Sequence, residues 1–187
     1  MSFAIRPATA ADAVALAEVA AVTFPLACPP HTTEEAKASF IAAVLSSERF
    51  VEYAADLQRR LFVAEQDTGE LIGYTLLNIG EPADDDVRAA VTVRPTAELS
   101  KCYVMPGHHG EGVAGRLMEA SIGAAAEAGA AGVWLGVNEE NARAQRFYGK
   151  HGFERVGAKR FLVGNRLEHD WVMERALVPG RSQGASG

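Results

Sequence analysis

The segment HHGEGVAGRL, residues 108–117, is where residue types and spacing point most directly to chemistry. A strand-like run, Glu98 to Val104, enters it, and a helical pattern reaching about Ala128 leaves it. Peptide N–H groups in the first turn of a helix lack intrahelical acceptors, and the aligned peptide dipoles add partial positive charge there. Gly110 and Gly112 let a phosphate approach the backbone closely, and Ala114 keeps the same surface nearly flat. The order strand, glycines, helix is therefore a cradle for an anion. No Gly-Lys-Ser/Thr follows, so it is not a Walker loop. Nor is it a dinucleotide fingerprint, because the glycine spacing differs and no matching βαβ unit precedes it. Taken alone, the same glycines also fit an ordinary turn.

A second ordered motif lies one helix further on. Residues 133–153 read VWLGVNEENARAQRFYGKHGF, which sets Asn141, Ala144, Phe147, Tyr148, Gly152 and Phe153 in an Asn-x-x-Ala-x-x-Phe-Tyr-x-x-x-Gly-Phe pattern. Together the two motifs resemble the GNAT acetyltransferase superfamily, whose loop pattern Gln/Arg-x-x-Gly-x-Gly/Ala is occupied here by His109 to Ala114. The similarity extends from Ile5-Arg6-Pro7 to the stretch Asp170 to Leu177. The resemblance implies acetyl-CoA as co-substrate. Its pyrophosphate would rest on His109, Gly110, Glu111, Gly112, Val113, Ala114 and Gly115. The backbone of Cys102, Tyr103 and Val104 would pair with the pantetheine amides, and Asn141, Ala144 and Phe147 would lie beside the cofactor. His109 stands where the family keeps a longer donor, so the grip is expected to rest on backbone N–H groups. Glu111, an acid inside an anion loop, is expected to point to solvent.

Acetyl transfer to an amine needs a neutral amine, a polarised thioester carbonyl and a proton for the departing thiolate. An alkylamine holds its proton up to a pKa of about 10.4, by analogy with lysine, so a base is required. The resemblance assigns that role to Glu98, acting through a water, and makes Tyr148 the acid that protonates the sulfur. A phenol with a pKa of about 10 is still protonated at neutral pH and can donate. From the residues alone, Glu98 is equally a strand-end carboxylate in solvent, and Tyr148 a ring packed on the core. Cys102 would sit near the thioester, yet no histidine or second thiol accompanies it, so it reads as a structural thiol rather than an acyl carrier. His31, His108, His151 and His169 have no ligand company in the sequence, and no metal is expected.

A narrower resemblance, to bacterial spermidine/spermine N-acetyltransferases, lies in Thr23-Phe24, Thr33-Glu34-Glu35, Trp134 to Val137 and the ending Val156 to Leu177. It implies a small-molecule primary amine, a polyamine, as acceptor. The acidic Glu34, Glu35 and Glu52 could hold a distal ammonium, though any one of them reads equally as an ordinary solvated helix-face carboxylate. Two other readings stand beside it: an enzyme acting on a protein N-terminus, a lysine or a drug, and a non-catalytic acetyl-CoA-binding regulator.

The rest of the chain must position these groups. Its 187 residues, 48% hydrophobic, suffice for one domain with a real core, expected over residues 1–178, with a flexible Gly/Ser-rich tail at 179–187. Acidic residues outnumber basic ones 24 to 18, and no basic face clusters in the sequence, which argues against nucleic acid as a partner. Two cysteines make no disulfide framework and read as reduced thiols of a cytoplasmic protein, a monomer or homodimer. Residues 1–24 build no long uncharged run, so no signal or membrane partner is expected.

The expected elements are a first strand at Phe3–Ile5 and a helix, capped by Thr9 or Asp12, that Pro25 ends near Phe24. A second helix follows Thr32 or Thr33 through about Leu45, and a third runs from Ser47 to about Leu57. Two strands then form a hairpin about residues 67–70, and residues 81–95 read as a polar loop around Asp84-Asp85-Asp86. A short strand from Gly132, a helix over Asn141 to Lys150 and strands near 154–162 and 168–176 complete the chain. Partial alternation with one antiparallel hairpin predicts an α/β (α+β) fold: a mixed, mostly antiparallel sheet with helices on both faces.

Overall fold

The computed structural model describes residues 2–163 and 166–177; the tail expected at 179–187 lies outside the described residues. Seven strands form one sheet: β1 (Phe3–Pro7), β2 (Arg59–Gln66), β3 (Leu71–Ile79), β4 (Thr96–Val104), β5 (Gly132–Asn138), β6 (Glu154–Val163) and β7 (Arg166–Ala176). Their spatial order is β1-β2-β3-β4-β5-β7-β6, and among the described residues β4 with β5 is the one parallel pair. Six α-helices accompany them: α1 (Ala13–Ala27), α2 (Glu34–Val44), α3 (Ser47–Ala55), α4 (Asp85–Ala90), α5 (Val113–Glu127) and α6 (Ala142–Lys150). This is the mixed, mostly antiparallel sheet with helices on both faces that the sequence predicts.

Alternation along the strands divides the core in two. Ala97, Leu99, Leu135 and Val137 face α5 and pack against Met118, Ile122 and Phe153. Tyr74 and Leu76 face the other way, against Leu16 and Ala20 of α1 and Phe50 of α3. Removing side chains such as Leu16 or Phe50 from water contributes about 1.5–3 kcal/mol each, which holds these helices on the sheet.

Three expectations need correction. Pro25 does not end α1; it sits inside the last turn, where the helix stops two residues later, and its carbonyl accepts from Cys28 N. Only one ladder bond is lost there, which a terminal turn tolerates. Residues 81–95 are not all loop. The acidic run caps and opens α4: the Asp84 carboxylate accepts from the N–H groups of Asp86 and Val87, and negative charge suits a helix start. Val87 and Val91 are thereby buried against Trp134 and Val172. Finally, Ala10–Ala27 is long and apolar enough, by length and composition, to cross a membrane. In the fold Leu16, Val19, Ala20 and Thr23 form its buried stripe, while Asp12 receives the guanidinium of Arg6 at 2.8 Å.

The feature that positions the site is the parting of β4 from β5. They pair over three rows only, Thr96 with Gly132, Ala97 with Val133 and Glu98 with Trp134. Beyond these, β4 continues to pair with β3, and β5 with β7. Leu77 opposes Leu99 while Leu76 opposes Lys101, so Ser100 is an extra residue in β4. A bulge of this kind bends a strand and increases its twist. The two strands diverge into a V, and the facing edges of Leu99–Val104 and Leu135–Asn138 have no strand partner among the described residues.

Candidate active site

At the top of the V, β4 runs into the glycine-rich loop. Gly107, Gly110 and Gly112 have φ of +90°, +89° and +81°, a region that side-chain-bearing residues rarely adopt, so the loop needs glycine to turn as it does. Gly112 is the N-cap of α5 and supplies no side-chain cap, and the first intrahelical bond is Arg116 N to Gly112 O at 3.1 Å. The N–H groups of Val113, Ala114 and Gly115 therefore have no intrahelical acceptor. The Val113 side chain is buried against Val104 and Leu117, which anchors the helix start. Glu111 is half-exposed, as expected, but is also drawn sideways: its carboxylate lies 3.0 Å from Nδ1 of His108. His109 is exposed and makes no side-chain hydrogen bond among the described residues. The donor set is thus backbone, and it fits a pyrophosphate without help from a long side chain.

α6 approaches the V from the α5 side. Its N-cap is Asn141, whose Oδ1 accepts from Ala144 N at 3.1 Å, so this side chain already serves the helix. Ala144, Phe147 and Tyr148 pack on the core beside Cys102. The Phe147 ring lies 5.4 Å from that of Tyr148 and 4.6 Å from His151, and His151 in turn rests against Gly115 of α5. The Tyr148 hydroxyl makes no hydrogen bond among the described residues, and burial holds its pKa well above the usual phenol range. It remains a proton donor throughout the neutral range.

Burial pushes the Cys102 thiol up to about 12, so it is not a nucleophile at neutral pH. The folded-state value lies above the ordinary one of 9.0. Its contribution to stability is therefore complete below pH 9.0 and is lost as pH rises toward 12. Cys102→Ala is expected to retain turnover at pH 7.5 and to flatten the alkaline fall in urea midpoint, by up to about 1.4 kcal/mol for each pH unit crossed. Accumulation of an acyl-cysteine, or abolished turnover in this variant, would contradict an inert thiol.

The opposite face of the V carries a different set. The register places Glu98, Lys101 and Tyr103 of β4 on the side of α1 and α3, with Trp134 and Gly136 of β5 and Asp170 of β7. Glu98 accepts from Asn78 Nδ2 at 3.3 Å and lines a cavity of ≈ 240 Å³ with Arg59, Asn78 and Trp134. The Lys101 ammonium lies 5.7 Å from the Phe40 ring centroid. Burial lowers its pKa, and Glu98 offsets part of that shift. Tyr148 and Glu98 thus lie on opposite faces of the sheet at the parting of β4 and β5, with the open strand edge between them.

Sequence reasoning missed Lys101, although a lysine within the apolar strand ELSKCYV was a visible signal. It also read His31 as isolated, whereas His31 Nε2 lies 2.6 Å from Glu168 and its Nδ1 3.6 Å from Glu140, tying the α1–α2 loop to β7. Two of the three carboxylates expected to hold a distal ammonium are already paired on their own helices, and Glu35 is exposed on α2 without an ion pair among the described residues. Glu34 meets Lys37 at 3.0 Å and Glu52 meets Arg49 at 2.8 Å, both largely exposed.

Residues 25–153 match the Acetyltransferase (GNAT) family, more than half of the chain. The chain belongs to the GNAT acetyltransferase family. A relative described as an uncharacterised N-acetyltransferase of Mycobacterium tuberculosis is 48% identical over 167 residues, covering 89% of this chain and 99% of the relative. Among solved structures, the PaiA N-acetyltransferase of Thermoplasma acidophilum in complex with coenzyme A superposes with a TM-score of 0.74 at 23% identity, over 95% of this chain and 100% of that one. A chimeric spermidine N-acetyltransferase from Vibrio cholerae superposes at 0.65 with 19% identity, over 94% and 96%. At these identities the structures share the fold. This GNAT enzyme is an acetyl-CoA-dependent N-acetyltransferase, with acetyl-CoA as its co-substrate.

Proposed function

We propose that the enzyme acetylates a small primary amine by direct transfer in a ternary complex, and that this amine is a polyamine such as spermidine or spermine. The observation that carries the reading is the V between β4 and β5. It joins a backbone anion cradle and the Tyr148 hydroxyl on one face to Glu98 and Lys101 on the other. When bound, acetyl-CoA supplies the thioester acetyl group. The backbone N–H groups of residues 113–115 hold the pyrophosphate, and the open edge of Cys102, Tyr103 and Val104 pairs with the pantetheine amides. Asn141, Ala144 and Phe147 border the same space.

Glu98 takes a proton from the incoming ammonium through a water. Lys101, a cation on the same face, disfavours a second positive charge beside it and so lowers the pKa of the amine to be acetylated. The neutral amine attacks the acetyl carbonyl, the C–N bond forms, and the C–S bond breaks as the Tyr148 hydroxyl gives its proton to the sulfur; the proton shed by the new amide nitrogen returns through solvent to restore the Tyr148 hydroxyl. With no activated thiol in the site, an acyl-enzyme has no carrier, which supports a single transfer. Cys28 and Cys102, both reduced thiols here, suit a cytoplasmic setting.

A thiol-release assay over polyamines, amino acids, aminoglycosides and short peptides tests the acceptor. Spermidine or spermine is expected to turn over with kcat/KM above roughly 10⁴ M⁻¹s⁻¹. Turnover of peptides or amino acids in place of polyamines rejects the polyamine reading. Tight acetyl-CoA binding with no thiol release from any amine rejects transfer itself.

A further inference from the structure

Among the described carboxylates that are at least partly buried on the acceptor face, one stands without a partner. Glu168 is held by His31 at 2.6 Å, Glu98 by Asn78 at 3.3 Å, and Glu174 accepts the N–H groups of Thr92 and Val93. Asp170, partly buried on β7, has no hydrogen bond from its carboxylate and no ion pair within 4.0 Å among the described residues. This holds even though Lys159 is its register neighbour on β6. Burial raises its pKa, Lys159 opposes that, and Glu168 and Glu139 add to it. A carboxylate taken partly out of water without a donor is unfavourable unless something else supplies one.

The space beside it is open because of a glycine. Gly136 is exposed although Leu135 and Val137, its chain neighbours, are 1% and 5% exposed. A Cβ at position 136 would touch Asp170 Oδ2 at 3.4 Å and Lys159 Cε at 3.4 Å. Tyr103, half-buried on the same face across the V, has its pKa raised by burial first, with Cys28, Cys102 and the Asp170 charge adding to it, and its hydroxyl has no hydrogen-bond partner among the described residues. A carboxylate without a partner and a missing side chain thus share one space, on the face of the sheet away from Tyr148, and Tyr103 lies on that same face across the V.

We infer that Asp170, over the floor made by Gly136 and opposite the Tyr103 hydroxyl, anchors the second, non-reacting ammonium of a diamine or polyamine acceptor. Asp170 accepts hydrogen bonds from that ammonium and the Tyr103 hydroxyl completes its shell, while the first amine lies toward Glu98. The inference rests on the polyamine reading and gives it a residue. Lys159 stays far enough to leave the carboxylate free while helping to keep it ionised.

Two measurements separate the anchor from the function. In steady state, Asp170→Asn is expected to raise KM for spermidine about tenfold or more, the worth of a charge-assisted hydrogen bond. Its kcat/KM for propylamine and its Kd for acetyl-CoA should stay at wild-type values. Gly136→Val, which fills the floor, should show the same selective loss. Equal losses for spermidine and propylamine, or none for either, overturn the anchor. Calorimetric titration of spermidine into the CoA-saturated protein gives the second readout. Binding by wild type and not by Asp170→Asn upholds the anchor even if spermidine is never acetylated, in which case only the polyamine reading falls. Equal binding by both proteins, or by neither, overturns the anchor.

Discussion

Tyr148→Phe is expected to reduce kcat by about 10²–10⁴-fold, the range for losing a positioned general acid, while the Kd for acetyl-CoA stays within about twofold. The substitution removes one oxygen and keeps the ring between Phe147 and Phe153. That hydroxyl bonds nothing among the described residues, so its loss strands no buried partner and is expected to cost little stability. Stopped-turnover kinetics alongside a cofactor titration distinguish the cases: unchanged kcat removes Tyr148 from the chemistry, and weakened cofactor binding would make it a wall of the site. The pH profile adds a check on sign. Because burial holds this phenol well above its ordinary pKa, it stays protonated, and kcat should show no loss from its ionisation up to a pH of about 10. Below neutrality, activity should fall as the acceptor amine becomes harder to deprotonate.

Gly112→Asp is expected to separate helix capping from cofactor binding. The position is the uncapped N-cap of α5 at φ +81°, a conformation that aspartate tolerates better than most residues. A carboxylate there can cap the free N–H groups, so the melting temperature should change by only a few degrees, given typical cap energies of about 1 kcal/mol. The same carboxylate would face the pyrophosphate. At about 5 Å and an effective dielectric near 20, one like-charge pair costs about 3 kcal/mol, or roughly two orders of magnitude in Kd. A stable variant that has lost acetyl-CoA affinity supports the cradle. Unaltered affinity would move the pyrophosphate elsewhere, and a variant that unfolds is replaced by Gly112→Asn, which keeps the cap without the charge and should bind the cofactor far better than the aspartate.

Two local patterns made the cofactor side of the site legible before any coordinates. The glycine loop and the Asn141-to-Phe153 motif are contiguous in the chain, and their geometry follows from short-range rules: positive φ at Gly110 and Gly112, an N-cap at Asn141, and free N–H groups at a helix start. Glu98 and Tyr148 came with the family pattern rather than from their own surroundings. α4 was missed because it is short and acidic, and only the packing of Val87, Ala90 and the C-cap Val91 shows that it is buried on one side. Pro25 was read by a rule about helix interiors that loses its force in a last turn.

The sequence by itself determined the chemistry class, since backbone donors on consecutive residues and a motif one helix away need no long-range information. The tertiary structure decided the acceptor side. Asp170 and Gly136 are 34 positions apart, and His31 and Glu168 are 137 apart, so no spacing rule could bring them together. What brings them together is sheet register: an extra residue at Ser100 turns β4 from β5, and the order β5-β7-β6 sets Gly136, Asp170 and Lys159 on one face. A one-residue slip in that register would send each of these side chains to the other face. That Asp170 has no partner among the described residues follows from that register and from what packs around it.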